Sequence, residues 1–253
     1  MSRNPKALAV RSHLDTLAFK AWFEGSRITD DQGGPALCTH YTDREFFAFS
    51  AAEQKRAKAE GSGYTTSFGL GYVFPETGFF FFVEDAPLPV GKKTIAVTAH
   101  LSIKNPLDLT RRISAEDTSR IIDFIKLKAT LKPSPGHWGY TPKGDKLGGF
   151  RKARKEGVTA EQLWAFLNDN TYTRRGLMWD QMLAMLGKDG VVFEGNSSGT
   201  ALLEAERGPG DGRAYRIAVA LDPTQIKSAT NAGTYDPENP DMRCSVVRRE
   251  RER

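Results

Sequence analysis

Apolar positions along the chain recur with two periods, and the switch between them marks most of the predicted elements. Leu8, Leu14, Leu17, Ala18, Ala21 and Trp22 fall at near-helical spacing and predict a helix over 8–24. DDQGGP (30–35) predicts a turn between two short strands. FFAFSAAEQKRAKAEGSG predicts a short helix ended by Gly61, and the glycine-rich stretch 61–78 a loop. GFFFFVED (78–85) is a continuous apolar run, which reads as a buried strand. Ile95, Val97, Ala99, Leu101 and Ile103 alternate with other residues, so 93–109 reads as a half-buried strand closed by Pro106.

The second half is more helical. Ser114 and Asp117 form a capping signal ahead of an amphipathic helix over 114–131. A proline- and glycine-rich excursion follows, and residues 133–157 are expected to be mobile and basic rather than core. Two further helices are predicted, over 159–170 and over 174–187, the second closed by Gly187. DGVVFEG and RAYRIAVAL (213–221) read as strands, and DPTQIKSA as a turn into a short last element. Strands and helices are mixed without regular alternation, which predicts an α+β fold and not a doubly wound parallel sheet.

Composition narrows the setting. The chain has 253 residues, enough for a sizeable core, with 39% hydrophobic and 26% charged residues. No apolar run approaches the roughly 20 residues that span a membrane, so no membrane partner is expected. Two distant cysteines, Cys38 and Cys244, imply neither a disulfide scaffold nor a cysteine-rich metal site, and fit a reducing cytoplasm. The net charge of +5 is unevenly spread. Residues 143–155 hold Lys143, Lys146, Arg151, Lys152, Arg154 and Lys155 against Asp145 alone, a candidate footprint for nucleic acid. The tail RCSVVRRERER (243–253) carries five arginines against two glutamates.

Familiar catalytic signatures are missing: there is no Walker loop, GxSxG, HExxH or CxxC. The histidines are His13, His40, His100 and His137, none paired at metal-ligand spacing, so no metal is expected. His40 ends the short apolar run PALCTH, ahead of Tyr41, Thr42 and an acidic, aromatic segment.

Several segments carry a family resemblance. AWFEGSRITDDQGGPALCTHYT resembles the first segment of the ADP-ribosyltransferase-like domains found in polyvalent proteins of phages and mobile elements, which commonly reads WFGDSKVVDENGEPLVVYHGT. In the same order, GFFFFVEDA is similar to the family's GIYFTDD strand and AHLSIKNPLDL to its YLNIKNPL strand. WDQMLAMLGKDGVVFEG is similar to its helix leading to GYDGVI. DPTQIKSATNAGTYDPENPDM is similar to its closing QIKSATNRGTFDPNDPDI, the most specific of the matches. The resemblance covers roughly residues 19–242, without a distinctive match over 110–157. It leaves a helical extension over 1–18 and a basic tail over 243–253.

The resemblance implies split mixed or antiparallel sheets around a cleft for NAD, with flanking helices. It implies that His40 hydrogen-bonds a ribose hydroxyl, that the backbone of Tyr41 meets the carboxamide, and that Thr42 supplies a hydroxyl. Tyr41 stands where the family usually has glycine. Phe80 falls at the family's nicotinamide-stacking tyrosine and keeps the ring without the hydroxyl. The catalytic glutamate falls at Ile217, which cannot hold a hydroxyl; Glu204, Glu206 and Gln225 are the candidates to replace it.

The expected activity is therefore transfer of ADP-ribose from NAD to a macromolecular acceptor, a protein first and nucleic acid second. The protein would be of phage or prophage origin, acting in the host cytoplasm or carried by the virion. Two alternatives stand beside it. One is a domain that keeps the fold without catalysis. The other is a nuclease-like toxin that uses His100 and His137 with Arg151 or Lys152 for acid–base work.

Overall fold

Strand pairing organises the chain. The structure, a computed structural model, describes residues 13–42, 46, 48–53, 56, 78–86, 95–129, 149–160, 162–163, 175–196, 214–231 and 235–242. Its helices are α1 (Leu17–Phe23), α2 (Ala115–Ala129), α3 (Gly149–Glu156) and α4 (Arg175–Leu186). Its strands are β1 (Cys38–Thr42), β2 (Phe79–Val83), β3 (Ile95–Leu101), β4 (Pro106–Asp108), β5 (Gly190–Asn196), β6 (Ala214–Ala220) and β7 (Ile226–Ser228). The strands form one seven-stranded sheet in the order β4-β5-β6-β2-β1-β3-β7. Every pairing is antiparallel except β4 with β5. The class is α+β, as expected; the strands join a single mixed ladder rather than two separate sheets.

Both faces of the sheet are covered, because successive strand residues point to opposite sides. On one face Phe82, Val191, Phe193, Tyr215, Ile217 and Val219 pack against α2 and α4 through Ile121, Ile125, Trp179 and Leu183. On the other face Cys38, Phe79, Phe81, Val83, Ala99, Val192 and Ala218 pack against Ile28, Ala36, Phe49 and Met242. The two faces are called the helix face and the loop face below. A third, smaller cluster joins Phe19 and Trp22 of α1 to Tyr235.

Local chemistry explains the ends of the elements. Thr16 caps α1, its Oγ1 accepting the Phe19 amide at 3.2 Å, so the described helix is shorter than the span predicted from residue 8. Ser114 Oγ accepts the Asp117 amide at 3.0 Å and starts α2, as expected. Asp30 Oδ1 accepts the amides of Gln32 and Gly34 at 3.0 and 2.7 Å, closing the turn between the bridged residues Thr29 and Pro35.

Pro106 does not end a strand; it begins β4, and β3 stops earlier, at Leu101. A proline is tolerated there because β4 is an edge strand, where one N–H has no ladder partner to find. Gly190 opens β5 where any Cβ would meet Ile103 Cγ2 at 2.5 Å and the Val219 carbonyl at 2.8 Å.

The largest departure from expectation is α3. Residues 149–156 are helical, with Ala153 buried and Phe150 packed against the helix-face core. A short run of lysines and arginines looks solvated in sequence, but two apolar residues three apart are enough to dock one turn. Residues 133–148 of the expected excursion, and the tail 243–253, lie outside the described residues.

Candidate functional site

His40 occupies the middle of β1, not its end, opposite Val97 of β3. On the other side β1 pairs Cys38 with Val83 and Thr39 with Phe82, a register that continues to set His40 against Phe81. The His40 side chain therefore lies on the loop face. Its ring centroid is 5.1 Å from Phe49, 5.4 Å from Phe81 and 6.4 Å from Phe46. Phe49 and Phe81 are buried; Phe46 is half-buried and keeps exposed ring surface.

The hydrogen bonding of His40 fixes its chemistry. Nδ1 lies 2.8 Å from the carbonyl oxygen of Phe80. A carbonyl can only accept, so Nδ1 carries the proton and donates, which leaves Nε2 as an acceptor. Burial among the phenylalanines pushes the imidazole pKa below its ordinary value of 6.5, and the Phe80 carbonyl opposes this only in part. At neutral pH His40 is an uncharged ring with a defined tautomer.

The other sequence-derived candidates do not gather around it. The Phe80 ring is on the helix face, packed with that core, and only its carbonyl reaches His40. The sequence could not reveal this, because the four phenylalanines of β2 alternate faces and the pairing register decides which of them faces His40. Tyr41 also turns to the helix face, its ring 6.0 Å from Phe82. Thr42 shares the loop face with His40 but is buried. Ile217 is buried on the helix face, opposite Phe82 of β2 and Phe193 of β5. Of the β6 residues on the loop face, Ala218 is level with Phe81 and Arg216 holds the carbonyls of Thr29 and Arg27 at 2.9 and 3.2 Å. Neither face of β6, AYRIAVA, carries a carboxylate. Glu204 and Glu206 lie outside the described residues.

Gln225 is wholly occupied elsewhere. Its Oε1 accepts the amides of Leu221 and Asp222 at 3.0 and 2.9 Å, and its Nε2 donates to the Asp189 carbonyl at 2.8 Å. It completes the capping box of the turn Pro223–Gln225. Asp189 in turn accepts the amides of Lys104 and Asn105, both at 2.8 Å, and Asn105 Nδ2 donates to the Gly187 carbonyl at 2.8 Å. The matched Asn-Pro and Asp-Gly pairs thus form one polar clamp between the β3–β4 turn, the start of β5 and the β6–β7 turn.

Lys227 is the buried polar residue at the heart of the closing motif. It has no exposed surface, and its Nζ donates to the Asn239 carbonyl. Burial depresses its pKa, opposed by the nearby charges of Asp236 and Asp241.

His100 is buried opposite Lys227 in the β3–β7 ladder; its Nδ1 donates to the Ala36 carbonyl at 2.9 Å, and its ring packs against Phe19 and His13. Arg151 and Lys152 stand exposed on α3, and His137 lies outside the described residues. Among the described residues no three of His, Cys, Asp or Glu come together as a metal site, and no helix is long and apolar enough to cross a membrane.

Phe46 and Phe49 are neighbours of His40 that the sequence does not single out, because the FFAF run at 46–49 carries the signal of a helix start and not of a site. Comparison with protein-family models, curated proteins and solved structures finds no match for this chain.

Proposed function

We propose that the chain is an ADP-ribosyltransferase-like domain that binds NAD with a ribose hydroxyl at His40. The observation that carries this reading is the tautomer of His40: a neutral imidazole, aligned by the Phe80 carbonyl, with Nε2 left to accept from a hydroxyl. The ordered segment resemblance over 19–242 supports it. Phe46, the ring beside His40 that keeps exposed surface, is better placed than Phe80 to stack on a planar base.

In transfer, the bond between the ribose C1′ and the nicotinamide nitrogen breaks, and its electron pair leaves with neutral nicotinamide. The sugar takes on oxocarbenium character while the acceptor's lone pair forms the new bond and its proton passes to a base. A carboxylate is the group that stabilises such a sugar. With none on β6, transfer rests on Glu204 or Glu206, and the acceptor is a protein or another macromolecule of the host.

A second reading is favoured by that same strand: a domain that holds the nucleotide without turning it over. Incubating the purified protein with labelled NAD, with and without bacterial lysate, separates the two. Label on a macromolecule supports transfer, and free nicotinamide without labelling supports hydrolysis. Intact NAD together with measurable binding supports the non-catalytic reading. Intact NAD without binding ends both.

A further inference from the structure

One cation of α3, Arg154, and one of α2, Lys126, are engaged in joining the two helices, whereas three other cations of α3 stay exposed. Arg154 is tied to Asp123 of α2, and the contact holds the Asp123 carboxyl below its ordinary pKa. Lys126 of α2 sits over the Phe150 ring, 5.2 Å from its centroid. With Phe150 and Ala153 turned inward, Arg151, Lys152 and Lys155 are left exposed on the outer side. Lys152 reaches Glu156 at 3.9 Å, while Arg151 and Lys155 meet no carboxylate among the described residues.

Beside this face lies a groove lined by Arg112, Lys152, Ala153, Glu156, Gly157, Val158 and Gln162. Its polar floor is fixed. Arg112 donates to the Gly157 carbonyl at 3.0 Å, and the Ile113 amide donates to the Val158 carbonyl at 2.8 Å. Gly157 has φ +75°, and a Cβ there would fall 2.0 Å from the Ile113 carbonyl, so only glycine fits this close approach. Gln162 Oε1 is taken by the Thr159 amide at 3.0 Å, which leaves its NH2 to donate. Guanidinium, ammonium and amide together offer donors, and the one carboxylate lining the groove already faces Lys152.

We propose that this groove and the outer side of α3 bind the phosphate backbone of a nucleic acid. A single small anion would need only the groove. Arg151 and Lys155 continue the positive surface for a further helical turn, about 6 Å, which suits a chain of phosphates. The exposed cations are arginine and lysine without an aromatic platform among them, so the contact is with the backbone and carries little sequence preference. This inference is independent of the reading at His40.

Fluorescence anisotropy with a labelled single-stranded oligonucleotide tests it on the full chain. Binding at low salt should weaken with added salt, with a log–log slope of about −2 for three phosphate contacts. The double variant Arg151→Glu, Lys155→Glu should bind at least about tenfold more weakly with a shallower slope, and Arg112→Gln should weaken binding as well. These side chains are exposed, so the thermal midpoint of the double variant should match the wild type, and Lys20→Gln on α1 should bind normally. No binding by the wild type at low salt, unchanged binding by the double variant, or equal affinity for a polyglutamate peptide would overturn the proposal.

Discussion

The Nδ1 of His40 and the carbonyl of Phe80 are 2.8 Å apart, although the two side chains point to opposite faces of the sheet. The contact joins neighbouring strands through one ring and one main-chain oxygen. It commits one nitrogen of His40 to the fold and leaves the other as an unprotonated acceptor.

That division predicts a mixed phenotype for His40→Ala. The variant loses a ring packed between Phe49 and Phe81 as well as the Phe80 contact, so it should lose about 2–4 kcal/mol of stability in urea unfolding. His40→Phe refills the space but removes the ring donor to the Phe80 carbonyl, and should lose about 1–2 kcal/mol. Stability equal to the wild type in both variants would mean that the ring is not packed as described.

The two aromatic candidates should separate cleanly. Phe46→Ala should weaken NAD binding about 2- to 13-fold, the equivalent of 0.5–1.5 kcal/mol of lost stacking. Phe80→Ala should lower the urea midpoint and leave NAD affinity unchanged, because its ring belongs to the helix-face core. The reverse pattern would restore Phe80 to the site.

Gln225→Ala should behave as a structural variant. It removes acceptors from the Leu221 and Asp222 amides and the donor to Asp189, at a cost of about 1–3 kcal/mol. NAD affinity measured below the unfolding range should not change. A Gln225→Ala protein that folds normally but no longer binds NAD would contradict the clamp.

Buried Lys227 anchors the closing segment, so Lys227→Ala should cost about 3–5 kcal/mol. Lys227→Met keeps the apolar stem and should cost less, about 1–3 kcal/mol, for the lost donation to the Asn239 carbonyl. Urea midpoints of the two variants give the order directly.

Stability should also depend on pH through the histidines. Burial lowers the pKa of His100, the Ala36 carbonyl opposes this, and nearby His13 lowers it further; His40 is depressed too. In the unfolded chain both take up a proton as pH falls through about 6.5, whereas the folded state resists. Their contribution is therefore complete above about pH 6.5 and is lost as pH falls from there towards the folded values. Thermal melts between pH 7.5 and 5 should show the decline, and His100→Gln should make it shallower.

How much of this could be read from the sequence follows from periodicity. Strand β3 and helix α2 were legible because their apolar residues repeat with a clear period, β2 because it is a continuous apolar run, and β5, β6 and α4 because their apolar segments are bounded by glycine and turn signals. Helix α3 was not, since GGFRKARKEG offers only Phe150 and Ala153 to a core that lies elsewhere in the sequence. His40 was legible as a strand residue facing the same way as Cys38. Its aromatic neighbours were not, because strand register and the approach of Phe46 and Phe49 are tertiary facts. The polar clamp of Asn105, Asp189 and Gln225 looked like separate turn residues until the sheet order brought them together.

The central claim is that His40 Nε2 accepts a hydroxyl from NAD, and calorimetric titration of NAD into wild type and His40→Phe tests it most directly. With Nδ1 held by Phe80, a single hydrogen bond is at stake, about 0.5–1.5 kcal/mol, so the variant should bind NAD about 2- to 13-fold more weakly. Equal affinity in the two proteins, or no heat of binding in the wild type, would contradict the account.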